Sequence, residues 1–163
     1  MWERKMIETT RGTFEYFTCG NGEPLAITHF YSAFTEKGNW FANPFTKHYQ
    51  VFLINVRGAG NSPEIIFDEE LKLHNVILDL EAIREALFFE KWTFAGHSTG
   101  GMLALQYAVD KQQSLTSIIC GCSAASKLSM VYVGEFPMLT ITGILGLSGV
   151  SFFVYRIVSR WIH

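Results

Sequence analysis

The chain has 163 residues, 48% of them hydrophobic and 17% charged, which is enough apolar material for one domain with a real core and too much for disorder. Its formal net charge is -2 with no Lys/Arg cluster, so a phosphate-binding face and a nucleic-acid partner are excluded. The start, "MWERKMIETTRG", lacks an apolar h-region, and three cysteines (Cys19, Cys120, Cys122) form an odd, sparse set; no secretory signal and a reduced, cytoplasmic setting are expected.

In chain order, "MIETTRGTFEYFTCGNGEPLAITHF" predicts two short extended runs turned at Arg11-Gly12 and a third, Leu25 to Phe30, after the Asn21-Gly22 turn. "VFLINV", 51 to 56, reads as another strand. Between 68 and 89, Leu73, Val76, Ile77, Leu80, Ile83 and Leu87 recur at helical spacing, so an amphipathic helix lays one face on a sheet. "KWTFAGH" is the next strand. "GGMLALQYAVD" is apolar nearly all round, as a buried helix requires, and "SLTSIICGCSA" supplies one more strand. Strands alternating with helices imply a mostly parallel sheet covered on both faces, whose ligands bind at the carboxyl ends of the strands. Cys120 and Cys122 would share one strand face, where buried packing is favoured over a metal role.

The stretch "WTFAGHSTGG", 92 to 101, sits at such a strand end. Gly96-His97-Ser98-Thr99-Gly100 matches G-x-S-x-G between a predicted strand and a predicted helix, the context of a nucleophile elbow. The serine would occupy a strained turn that lifts its hydroxyl clear of the sheet, and side chains two residues either side would collide with backbone. Helix N-terminal amides would then face the reacting oxygen. A Gly-rich strand-to-helix turn with an incidental serine fits the same five residues.

Two further stretches decide between those readings. "NVRGAGNS", 55 to 62, resembles the D-x-R-G-x-G-x-S turn of the α/β-hydrolase family, with Asn55 where Asp is usual. "THFYSAF", 28 to 34, is similar to that family's H-G-x loop, with Phe30 where Gly is usual. With the block from Asp79 to Gly101 they follow the family's order over residues 1 to about 125, most closely its proline-iminopeptidase-like members. The resemblance implies an α/β fold with a mostly parallel sheet and helices on both faces. It also implies a serine hydrolase of small esters, amides or short peptides, with Ser98 as nucleophile and the backbone N–H groups of Thr99 and Tyr31 as oxyanion hole. No cofactor and no metal are implied. His29, Phe30 and His97 would line the substrate site; the same histidines also read as loop anchoring for His29 and elbow packing for His97. Arg57 and Ser62 read as turn-stabilising, with Arg57 a possible support for the oxyanion loop.

The family keeps its acid and its histidine late in the chain. After Ser98 the acidic residues are Asp110 and Glu135, and the histidine is His163, the final residue. Asp110 would lie roughly 15 Å along the elbow helix, so no triad is expected and the fold reads as truncated after about the sixth strand. From residue 126 the composition changes: Asn, Asp and Gln disappear, and 138 to 155, "MLTITGILGLSGVSFFVY", carries no charge. Residues 1–125 thus read as the N-terminal part of a hydrolase domain, and 126–163 as an atypical hydrophobic tail. A frame-shifted segment, a cap remnant and a membrane segment compete for it, with 138 to 155 expected to be helical. A non-catalytic binding module or a membrane-attached remnant is the competing functional class. Nothing in the sequence sets the oligomeric state.

Overall fold

The computed structural model describes residues 1–30 and 32–121, together with the backbone of 139–147 and 150–157. The order of strands across the sheet is β1-β2-β4-β3-β5-β6-β8-β7. β1 (Glu3–Thr9) and β2 (Gly12–Cys19) form an antiparallel hairpin in register from Glu3 with Thr18 to Thr9 with Gly12. β2 also pairs antiparallel with β4 (Tyr49–Ile54). From β4 the ladder is parallel through β3 (Glu23–Ile27) and β5 (Trp92–His97) to β6 (Leu115–Gly121).

The parallel strands are apolar on both sides, so both faces need cover. Alternation along each strand sends Ala26, Phe52, Ile54, Trp92, Phe94, Ile118 and Cys120 to one face. Leu25, Ile27, Val51, Leu53, Ala95 and Ile119 go to the other. The first face is covered by α1 (Leu73–Ala86), through Val76, Ile77, Leu80 and Ile83, and by α2 (Thr99–Asp110), through Leu103, Ala104, Tyr107 and Ala108. The second face receives Phe34, Phe41 and Ala42, next to a single 3-10 helix at Asn43–Lys47. The helical periodicity read from 68 to 89 therefore resolves into a 3-10 turn at Asp68–Leu71 followed by α1.

A buried polar network ties α1 and α2 to the starts of β5 and β6. Tyr107 Oη donates to Glu81 Oε1 (2.5 Å), Trp92 Nε1 donates to Tyr107 Oη (3.1 Å) and Ser114 Oγ donates to Glu81 Oε2 (2.6 Å). Arg84 Nε also donates to Glu81 (3.0 Å), so the carboxylate is fully partnered. Burial, with the Glu81 charge beside it, pushes the Tyr107 hydroxyl far above the ordinary tyrosine value, so it stays neutral, accepting from Trp92 and donating to Glu81.

The uncharged run corrects an expectation. Instead of a helix over 138 to 155, β7 (Leu139–Leu147) and β8 (Val150–Ile157) form an antiparallel hairpin, and β8 pairs antiparallel with β6. The sequence reason is that "LTITGILGL" and "VSFFVYRI" are rich in β-branched and aromatic residues, and an apolar run without polar alternation has no period to separate helix from strand. Among the described residues no helix is long and apolar enough to cross a membrane.

Candidate active site

The parallel strands β3, β4 and β5 end side by side, and the motif residues gather at those ends. Ser98 lies between β5 and α2 with φ 55° and ψ -118°, a left-handed conformation that a non-glycine residue adopts only when its surroundings impose it. The surroundings are two backbone contacts. A Cβ on Gly96 would run into the carbonyl of Gly100, and a Cβ on Gly100 would run into the carbonyl of Thr28 at the end of β3. Each glycine therefore lets one backbone lie directly on another, and the turn between them has one shape open to it. Ser98 N–H donates to Gly121 O (3.0 Å), tying the turn to β6, while Ser98 O accepts from Gly101 N–H (3.0 Å) and starts α2. The N–H groups of Thr99 and Gly100, the first two residues of α2, have no preceding helix carbonyl to donate to and lie at its positive dipole end. Thr99 is exposed.

The 28–34 loop leaves β3 beside this turn. Thr28 Oγ1 donates to Ile54 O (2.7 Å), and at the far end Phe34 N–H donates to Asn55 Oδ1 (2.7 Å). His29 is buried against the Phe34 ring, 4.3 Å between centroids. Burial holds the His29 imidazole below its ordinary pKa and nearby His97 adds to the drop, so it is neutral at pH 7. Phe30 is half-buried against the α1/α2 side of the core. Tyr31 lies outside the described residues.

His97 points to the other face. Its ring lies 5.0 Å from that of Trp40 and 5.7 Å from that of Phe41, and its Nδ1 is buried with no hydrogen-bond partner among the described residues. Trp40 is 58% exposed, a large apolar ring left in water beside His97. Nothing in its local sequence marks it, because it sits in a segment with neither periodicity nor motif.

Arg57 and Ser62 stabilise the turn after β4. Arg57 Nε donates to Asp79 Oδ2 (2.8 Å), its Nη2 donates to Arg11 O, and its Nη1 lies 3.6 Å from Glu70. Ser62 Oγ donates to Asn55 O (2.6 Å) and accepts from Glu15 N–H (3.0 Å). Asp110 sits at the far end of α2, where it accepts from Gln106 Nε2 (2.7 Å) and lies 3.4 Å from His74 Nδ1. Glu135, Cys122 and His163 lie outside the described residues. Cys120 is buried over Gly101, and burial pushes its thiol up to about 12, which leaves it protonated and inert.

A family model described as the alpha/beta hydrolase fold matches residues 26–141. Over 108 residues the chain is 32% identical to a proline iminopeptidase of Xylella fastidiosa, covering 64% of this chain and 34% of that protein. Over a stretch of the same length it is 30% identical to Epoxide hydrolase 4 of Mus musculus, covering 65% of this chain and 30% of that protein. A solved alpha/beta fold family hydrolase from Bacillus anthracis is 57% identical with a TM-score of 0.76, over 78% of this chain and 46% of the other. The chain thus spans less than half the length of each of these relatives. With strand order, strand-to-helix turn and family match in agreement, the chain belongs to the alpha/beta hydrolase fold family.

Proposed function

We propose that residues 1–125 carry the nucleophile-bearing part of a serine hydrolase for small esters, amides or short peptides, and that 126–163 form a segment of separate character. The observation that carries this is the backbone of Ser98, held at φ 55° between a strand end and a helix start by two glycines that tolerate no side chain. Ser98 Oγ attacks the substrate carbonyl carbon, and the resulting oxyanion is held by the N–H groups of Thr99 and Tyr31. Collapse of the tetrahedral species expels the alcohol or amine with a proton, and water then cleaves the acyl ester and restores Ser98. His29, Phe30 and His97 border the substrate, with Trp40 beside His97.

The relatives include an epoxide hydrolase, and the chemistry of a serine separates the two reactions. Attack of a hydroxyl on an epoxide carbon leaves an ether, which water does not clear, whereas attack on an acyl carbon leaves an ester, which it does. Ser98 therefore supports acyl substrates. The odd, sparse set of cysteines supports a cytoplasmic setting. Because no acid and histidine accompany Ser98 among the described residues, the chain by itself is expected to turn over slowly, as removal of triad partners costs about 10⁴ or more in kcat.

The test is hydrolysis of p-nitrophenyl acetate and a proline arylamide by the native chain and by Ser98→Ala. A slow release that disappears in Ser98→Ala supports the reading. Release equal in both chains would contradict it.

A further inference from the structure

Asn55 stands just past the end of β4, 1% exposed, and its carboxamide makes three hydrogen bonds. Oδ1 accepts from Phe34 N–H (2.7 Å), and Nδ2 donates to Phe34 O (3.3 Å) and to Glu15 Oε2 (2.7 Å). Both backbone groups of Phe34 are thereby bound by one side chain. With Thr28 Oγ1 on Ile54 O at the other end, the 28–34 loop is tied at both ends to the end of β4.

The carboxamide owes its orientation to Glu15. That carboxylate, on β2 and 2% exposed, also accepts from Asn61 N–H (2.9 Å), Asn61 Nδ2 (2.8 Å) and Arg4 Nε (2.5 Å). An acceptor at Oε2 requires the NH2 of Asn55 to face it, so the carbonyl oxygen faces Phe34 N–H. An Asp at 55, the residue usual in the family the chain resembles, would set a second acceptor-only carboxylate against Glu15 and against Phe34 O. Asn at 55 is what a carboxylate at 15 demands.

We infer that Asn55 and Glu15 are a positioning pair: Glu15 orients the Asn55 carboxamide, which fixes the 28–34 loop that carries the second proposed oxyanion donor. This rests on the serine-hydrolase reading above. Neither residue touches substrate; both act through the backbone of Phe34.

The experiment is covalent labelling of the whole chain with an alkyl fluorophosphonate, in which the Ser98 Oγ–P bond forms, the P–F bond breaks and the hydroxyl proton passes to water. The rate at saturating probe reports bond formation; the probe concentration at half-maximal rate reports binding. Asn55→Asp is expected to lower the saturating rate about tenfold or more, the scale of a displaced oxyanion donor, with the half-saturating concentration unchanged. Glu15→Gln/Asn55→Asp, which moves the carboxylate to position 55 and the amide to 15, is expected to recover most of that loss. If Asn55→Asp does not fold, the double variant decides: a saturating rate near native supports the pair, and a rate tenfold down overturns it. Labelling at Ser98 that Asn55→Asp leaves unchanged overturns the pair and leaves the serine reading standing. Labelling that persists in Ser98→Ala, or fails in the native chain, removes both.

Discussion

The elbow and the 28–34 loop lie side by side and are built by opposite means. The elbow is held by backbone against backbone, with Gly96 on Gly100 inside the turn and Gly100 on Thr28 just past the end of β3. The loop is held by side chains reaching across the sheet, Asn55 to Phe34 and Asn55 to Glu15, over separations of 21 and 40 residues. A close backbone approach tolerates no substitution, whereas a side-chain clamp fails in proportion to the hydrogen bonds removed.

Breaking the elbow is therefore expected to have the largest effect. Gly100→Ala drives a methyl group into the Thr28 carbonyl, and neither backbone can yield without moving a strand end. A loss of about 3 kcal/mol or more in urea unfolding is expected, at the top of the overpacking range. A loss below about 1 kcal/mol would show that the turn is adaptable.

The clamp is expected to show itself through pH. Burial opposes the charge on Glu15, but hydrogen bonds from Asn61, Asn55 and Arg4 outweigh it and hold the carboxyl at about 2, below its ordinary value of 4.5. A carboxyl with a depressed folded pKa stabilises the fold above the unfolded value, and that contribution is lost as pH falls from about 4.5 towards 2. The native chain should lose up to about 3 kcal/mol of unfolding free energy across that window, and Glu15→Gln should flatten the dependence. An unchanged slope in Glu15→Gln would assign the acid sensitivity to other carboxyls.

These contrasts explain what could be read in advance. The parallel core was legible because "VFLI" and "WTFAG" are continuous apolar runs between turn residues. The elbow was legible because its glycines and serine are mechanically required at fixed spacing. Asn55 was visible only as a departure from an expected Asp, since its partner Glu15 lies on a strand whose exposed-looking "GTFEYF" pattern gives no sign of a buried carboxylate. Trp40 carried no local signal. The strands at Leu139–Leu147 and Val150–Ile157 were mistaken for one helix because eighteen uncharged residues satisfy either geometry.

Smaller effects separate imposed strain from tolerated strain. Ser98 and Phe88 are the non-glycine residues with positive φ among the described residues, at 55° and 61°. Phe88 is 94% exposed and follows the end of α1, where Phe88 N–H donates to Glu85 O and Phe89 N–H donates to Arg84 O, a helix stop that favours glycine. Phe88→Gly is expected to stabilise the chain by about 1 kcal/mol, seen as a rise in thermal midpoint. Ser98→Gly should stabilise it by a similar or smaller amount while abolishing reactivity, because strain held at a reactive position is released with the hydroxyl. Equal reactivity in Ser98→Gly would mean that the strained serine has no chemical part.

The central claim is that Ser98 is the nucleophile, and peptide mapping after fluorophosphonate treatment tests it most directly. The account expects one phosphonyl adduct on the native chain, located at Ser98 within residues 92–101, and no adduct on Ser98→Ala. An adduct at Ser62 or Ser114 with Ser98 unmodified, or equal labelling of native and Ser98→Ala chains, would contradict it.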